Sequence, residues 1–213
     1  MFKWGRRVIL FLLLSVGLWQ VGEGSYIYAK AQLAQELILD AWEEGIANRQ
    51  PVKPWSWADT WPVARLVVPR LGIDQIVLAG DNGRALAFGP GHRFGTPLPG
   101  EVGNSLVAGH RDTHFGFLKN LRIDDTILVQ DQAGAVHQYI INAYEVVDES
   151  MPVEEVSEQQ LTLVTCYPFD AVVPGGPLRY VVTATVTTAK WKGKSDNLYR
   201  QQINQSEPRS EQF

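Results

Sequence analysis

The sequence predicts an all-β domain, a sandwich or a barrel, preceded by an N-terminal membrane segment and a helix. Three observations predict it. Between Val63 and Thr188, seven runs rich in Val, Ile, Leu, Thr and Tyr follow one another, each bounded by Gly, Pro, Asp or Asn. Nineteen Gly and twelve Pro in 213 residues supply the turns of a β-rich fold rather than a helical bundle. The 3.6-residue apolar period of a helix belongs to the segment ahead of those runs. Hydrophobic residues make up 45% and charged ones 20%, which suits a globular domain. A net charge of −4, with no basic excess, argues against a nucleic-acid partner.

The first element decides the compartment. Lys3, Arg6 and Arg7 precede the apolar run Val8–Trp19, "VILFLLLSVGLW". A bilayer span needs about 20 residues, and reaching that length means extending to Tyr28 and taking in Gln20 and Glu23. One reading is a cleaved signal peptide, with "AKA" at 29–31 as the cleavage site. The other is an uncleaved signal anchor spanning 1–28, its basic end in the cytoplasm and Trp4 and Trp19 bracketing the apolar run. The distance of "AKA" from the apolar run favours the anchor. A buried core helix is a third alternative. The anchor reading places the chain in the inner (cytoplasmic) membrane as a single-pass protein, with the remainder on the periplasmic or extracytoplasmic side.

Residues 29–60 read as a helical stalk and linker. From Ala29 to Gly45, Leu33, Leu37 and Ala41 share a stripe flanked by Ala34, Ile38 and Trp42, the pattern of an amphipathic helix. "NRQPVKPWSWADTWPVAR" follows, where prolines forbid a continuous helix and predict an extended linker. Its Trp55, Trp57 and Trp61 are expected to pack on the domain rather than form an exposed cluster.

The β domain is placed at 61–189. Its strands are predicted at "VARLVVP", "IDQIVLAG", "NSLVAGH", "DTILVQD", "AVHQYIINAYEVV", "QLTLVTC" and "RYVVTATVTT". A helical turn is expected at Phe115–Leu121 and another after Pro152. Residues 190–213, rich in Gln, Asn, Ser and charge, read as a disordered tail.

Cys166 is the only cysteine, so in an exported chain it has no disulfide partner and is a candidate reactive thiol. No Cys-based metal site can be built, and the four His show no zinc-type spacing. A cysteine nucleophile needs a base that also protonates a leaving amine, and a donor for the developing oxyanion. His110 follows "SLVAG" and so stands at a strand's C-terminal end, as Cys166 does. His92 and His114 lie in loops, and His137 sits inside a strand, where it is expected to face solvent. Arg179, delivered by "PGGPLRYVV", is the preferred cation, with Arg111 as its competitor. A solvated surface charge is the plainer role for either. Other motifs fail: "HRD" at 110–112 lacks the Asn of a kinase catalytic loop, since Phe117 stands there. The acidic Asp124, Asp125 and Asp131 read as turns between strands rather than a metal site.

These residues resemble the sortase family. "TLVTC" at 162–166 matches the family's T-L-x-T-C signature, "AGHR" at 108–111 the segment around its catalytic histidine, and "LRYVV" at 178–182 the strand carrying its essential arginine. "ARLVVPRLGIDQIVLAG" looks like its first two strands, and the similarity covers roughly 62–188. The resemblance implies an eight-stranded β-barrel with short helices; no cofactor is expected. It implies a cysteine transpeptidase that cuts an L-P-x-T-G-like C-terminal sorting motif and passes the acyl group to an amine. Cys166 is then the nucleophile, His110 the acid and base, and Arg179 the oxyanion or substrate-backbone donor. Thr165 is a second contributor to the oxyanion hole. The implied partners are a protein bearing a sorting signal and an amine acceptor. "TCYP" with the short anchor looks like the subtype found in Gram-negative, often marine, proteobacteria. Two other classes remain open: a Cys-His peptidase that only hydrolyses, and a non-catalytic exported β-barrel that binds a partner.

Overall fold

Alternate residues of each strand turn inward, and the sheet closes on itself. The fold is seen in a computed structural model, which describes residues 2–150, 155–171 and 175–187. After the long helix α1 (Phe2–Asn48) come β1 (Pro62–Val68), β2 (Ile73–Ala79), the short α2 (Gly83–Leu86), β3 (Gly91–His92) and β4 (Gly103–Ala108). β5 (Thr126–Asp131), β6 (Val136–Asp148), β7 (Gln159–Cys166) and β8 (Leu178–Val186) complete the sheet. The eight strands form a closed barrel in the order β1-β2-β3-β4-β7-β8-β6-β5, with β5 pairing back onto β1. Closure leaves no open sheet edge.

The interior is filled by alternate residues. Leu66 and Val68 of β1, Ile127 and Val129 of β5, Leu161 and Leu163 of β7, and Val182 and Ala184 of β8 are all essentially inaccessible. Phe115 and Leu118 plug the same core from the β4–β5 connection, where Gly116–Asn120 forms the expected helical turn. The turn expected after Pro152 falls partly outside the described residues, and the polar segment 190–213 lies wholly outside them.

Seven strands lie where the alternation placed them, within a residue or two at each end. β3 was read as a loop. Two residues are too few to show alternation, and Gly91 serves backbone approach, since a Cβ there would collide with the Gly80 carbonyl. His92 is therefore buried, its Nε2 within 2.8 Å of the Pro97 carbonyl. His137 also departs from expectation: it is half-buried and pairs with Asp131 at 2.8 Å.

α1 is one unbroken helix of 47 residues, so the boundary drawn at residue 28 falls inside it. At ~1.5 Å per residue it is about 70 Å long. From Leu10 to Leu33 its described side chains are exposed, which removes the core-helix alternative. This part is long and apolar enough to cross a membrane. Beyond it, Ala34, Ile38, Ala41 and Trp42 are buried against the domain, and Gln35 Nε2 donates to the Phe88 carbonyl at 2.8 Å. The buried stripe is thus shifted from the expected one, and Leu33 faces outward. The tryptophans divide. Trp55 packs edge-on against Phe88 and Trp61 joins the core, but Trp57 is 80% exposed, contrary to expectation.

Candidate active site

β7 carries two faces. Leu161, Leu163 and Thr165 point into the barrel, while Gln160, Thr162, Val164 and Cys166 alternate outward. Cys166 is the last residue of the strand, partly exposed, and its thiol is free. Tyr167-Pro168 follows, and the proline, without an N–H, cannot extend a central strand. Across the antiparallel β7–β8 ladder, Cys166 is the register partner of Arg179. Directly opposed residues share a face, so thiol and guanidinium project from the same side of the sheet.

His110 comes from the other neighbour of β7. β4 runs parallel to β7, and the register ends at Ala108↔Val164. Continuing it sets His110 level with Cys166. The chain holds that course past the strand's formal end. Gly109 N–H donates to the Val164 carbonyl at 3.1 Å, and the Thr165 hydroxyl donates to the Gly109 carbonyl at 2.7 Å. The turn then folds back, with Phe115 N–H on the His110 carbonyl at 3.0 Å. Gly109 is needed here because a Cβ would lie 2.6 Å from Cγ of the buried Phe115 ring. His110 itself is exposed.

The structure therefore brings Cys166, His110 and Arg179 to one end of one sheet face. Thr165 is beside them but is 2% exposed, with its side chain turned inward and its hydroxyl proton committed to Gly109. As a side chain it pins the histidine turn; only its backbone is left for the outer face.

Arg179 donates through Nη1 to the carbonyls of Gly176 and Leu178 and through Nη2 to Glu149, with which it forms an ion pair. Nε–H and one Nη2–H are left without a partner among the described residues. Arg111, the competing cation, has a different position. It is 7% exposed, and it ties the segment after Cys166 to the histidine turn by donating to the Pro168 carbonyl at 2.6 Å and the Ala171 carbonyl at 3.0 Å. It also chelates Asp112 and lies within Coulombic range of Cys166. Its adjacency to His110 is plain in the sequence; its burial under a loop 57 to 60 residues away is not.

The electrostatics separate the neighbouring groups. Asp112 is held below the usual carboxylate range, chiefly by the hydrogen bond from Arg111, with the charges of Arg111 and His110 adding to it. His114, half-buried four residues on, is pushed down by burial and then by the nearby His110 charge. It tends to stay neutral. Tyr180 is raised by burial first and then by Tyr144 and Tyr167, members of an aromatic group with Phe169 that covers the first residues past Cys166.

The same outer face forms a groove of about 510 Å³ that Arg179 lines, with neither Cys166 nor His110 among its lining residues. Leu106, Val164 and Val181 are its apolar lining, and beside them the Thr162 hydroxyl donates to Asn104 Oδ1 at 2.7 Å. Among the described residues no group of three or more His, Cys, Asp or Glu is placed to hold a metal ion.

Comparison with known proteins gives a consistent picture. The Sortase domain family model matches residues 66–187, more than half of the chain. Sortase D of Bacillus subtilis (strain 168) is 28% identical over 120 residues, 55% of this chain and 60% of that protein. Sortase A from Corynebacterium diphtheriae superposes with a TM-score of 0.56 at 25% identity, over 64% of this chain and 66% of the other. For sortase C-1 from Actinomyces oris the TM-score is 0.52 at 30% identity, over 59% and 74%. The chain thus spans less than two thirds of the Bacillus and Corynebacterium proteins it matches. Since the family model runs from β1 to just past β8 and the barrel superposes on these structures, the chain belongs to the sortase family.

Proposed function

We propose that the protein is a cysteine transpeptidase acting on the C-terminal sorting motif, of L-P-x-T-G type, of another exported protein. The observation that carries this is the register: Cys166 opposite Arg179 on β8, and His110 level with Cys166 beyond β4. Family membership supports the reaction class.

The steps follow from these side chains. The motif lies extended in the groove with its threonine carbonyl at Cys166. Sγ attacks that carbon, the C–S bond forms, and the Thr–Gly C–N bond breaks to leave a thioacyl-enzyme. His110 delivers its proton to the departing glycine amine. Arg179 offers its remaining N–H donors to the oxygen that becomes negative in the tetrahedral intermediate. An incoming amine then attacks the thioacyl carbon and loses a proton to His110, and the thiolate is released. Water competes in this second step, so the partition between aminolysis and hydrolysis defines the activity. The apolar part of α1 supports anchoring in the cytoplasmic membrane with the barrel outside. The proteobacterial subtype rests on Tyr167-Pro168 after the nucleophile and on the short anchor.

The test uses the full chain in detergent micelles, a peptide carrying the motif, and a panel of amines, with products read by mass spectrometry. Transfer of the N-terminal peptide fragment to an amine, lost in Cys166→Ala, is the expected result. Hydrolysis alone across all acceptors would instead identify a peptidase. An unchanged peptide with wild-type protein would point to a binding domain.

A further inference from the structure

Arg179 takes its orientation from the end of β6 as well as from its own strand. Val147↔Arg179 and Asp148↔Leu178 are the final rungs of the β6–β8 ladder. The chain continues the ladder one step further, with Glu149 N–H on the Pro177 carbonyl at 2.7 Å. It then turns, because the Ser150 backbone N–H and hydroxyl both donate to Asp148 Oδ1, at 3.0 and 2.7 Å. The backbone thus fixes Glu149 beside the guanidinium, although the Glu149 side chain is 55% exposed.

The guanidinium is held from two sides. Nη1 donates to the Gly176 and Leu178 carbonyls at 2.6 and 2.9 Å, and Nη2 donates to Glu149. The two carbonyls lie within three residues of Arg179 and move with its own segment. Of the three acceptors, Glu149 alone comes from beyond a different strand. Its pairing is also unlike others in the chain. Arg65 on Asp74, Arg70 on Asp125 and Arg111 on Asp112 each bring both Nε and Nη2 to the carboxylate. A bidentate pair of that kind occupies the donor edge of the fork. At Arg179 the carboxylate meets Nη2 alone, and Nε–H stays available. A half-exposed pair adds little to stability. Its consequence lies in orientation, because donors stabilise a developing charge only when they are aimed at it beforehand.

We propose that Glu149 is a positioning residue for the acyl transfer. Its carboxylate restrains the Arg179 guanidinium so that Nε–H and the remaining Nη2–H point at the carbonyl oxygen of the group on Cys166, across the register pair. Glu149 does not touch the substrate and moves no proton. The inference rests on Arg179 serving as the oxyanion donor, and one experiment separates the two.

Full-length protein in detergent micelles is given a saturating amine and a sorting-motif peptide whose Thr–Gly amide is replaced by an ester, so that slow variants stay measurable. Glu149→Ala is expected to lower kcat about tenfold, short of the ~10²–10³ that loss of an oxyanion donor costs, with KM little changed. Glu149→Gln, whose amide oxygen still accepts from Nη2, restores most of the rate. Alkylation of Cys166 by iodoacetamide, which needs no oxyanion donor, proceeds as in wild type, and Tm is nearly unchanged. In an Arg179→Ala background, Glu149→Ala lowers kcat no further. An equal loss in both backgrounds overturns the positioning role, since Glu149 then acts without Arg179. An unchanged or raised kcat in Glu149→Ala overturns it too, as does a loss accompanied by slowed alkylation and a lowered Tm. Transfer that Arg179→Ala leaves intact overturns the oxyanion assignment and the inference with it. Absence of transfer by the wild type overturns the transpeptidase reading on which both stand.

Discussion

Cys166, His110 and Arg179 are three exposed or half-exposed side chains, and the backbone beneath them is what brings them to one end of the sheet. Thr165 shows this. Its hydroxyl holds the Gly109 carbonyl, the last peptide before His110, at 2.7 Å in a buried setting. Thr165→Val leaves that carbonyl unsatisfied and is expected to destabilise the barrel by about 1–3 kcal/mol in denaturant unfolding. It should also lower kcat, because the histidine turn loses its tether. Arg179→Lys retains a charge but loses the planar fork, and is expected to cost about 10²–10³ in kcat/KM, read in steady-state transfer assays, with the fold intact. Arg111→Met tests the loop anchor. The segment carrying Pro168 and Ala171 is released, so hydrogen exchange there should rise while the rest of the barrel stays protected. The placement of Cys166, His110 and Arg179 at strand ends is readable from the sequence, while their selection as a set came from the resemblance of "TLVTC", "AGHR" and "LRYVV" to sortase segments. Arg111 was visible but not its burial, since that depends on carbonyls contributed by a distant loop.

Among the elements, β7 and β8 carry Cys166 and Arg179 and β4 leads to His110, and all three strands are readable in the sequence as β-branched runs between turn signals. The elements that departed from expectation had no period to read. β3 is two residues long. The exposure of Trp57 depends on how the linker meets α1, which no local pattern records. The length of α1 was obscured by its change of character from apolar to amphipathic partway along, although hydrogen bonding continues through both parts. Gly109 is the hinge between β4 and the histidine turn. Gly109→Ala pushes a Cβ into the Phe115 ring, and overpacking of this kind is expected to cost about 1–3 kcal/mol. A thermal unfolding scan would show the lowered Tm, and transfer activity would fall as His110 is displaced.

For the whole molecule, stability should depend on pH in two steps. His114 has its folded-state pKa lowered by burial, so the native state favours its neutral form. Stability is complete above the ordinary value of 6.5 and declines as pH falls from there toward the lowered value. Asp125 is lowered mainly by its hydrogen bonds from Arg70, which meets it at 2.5 and 2.6 Å. Its contribution is present above 3.8, the ordinary value, and is lost as pH falls through the lowered one. Thermal unfolding against pH should show both declines. His114→Asn removes the first and Asp125→Asn the second.

The central claim is that acyl transfer passes through a covalent bond to Cys166. Intact-mass spectrometry of the protein mixed with a sorting-motif peptide, without added amine, tests it most directly. The expected result is a mass gain equal to the peptide's N-terminal fragment less one water, located at Cys166, absent in Cys166→Ala, and discharged when an amine is supplied. Cleavage of the peptide without such an adduct, or an adduct that persists in Cys166→Ala, would contradict it.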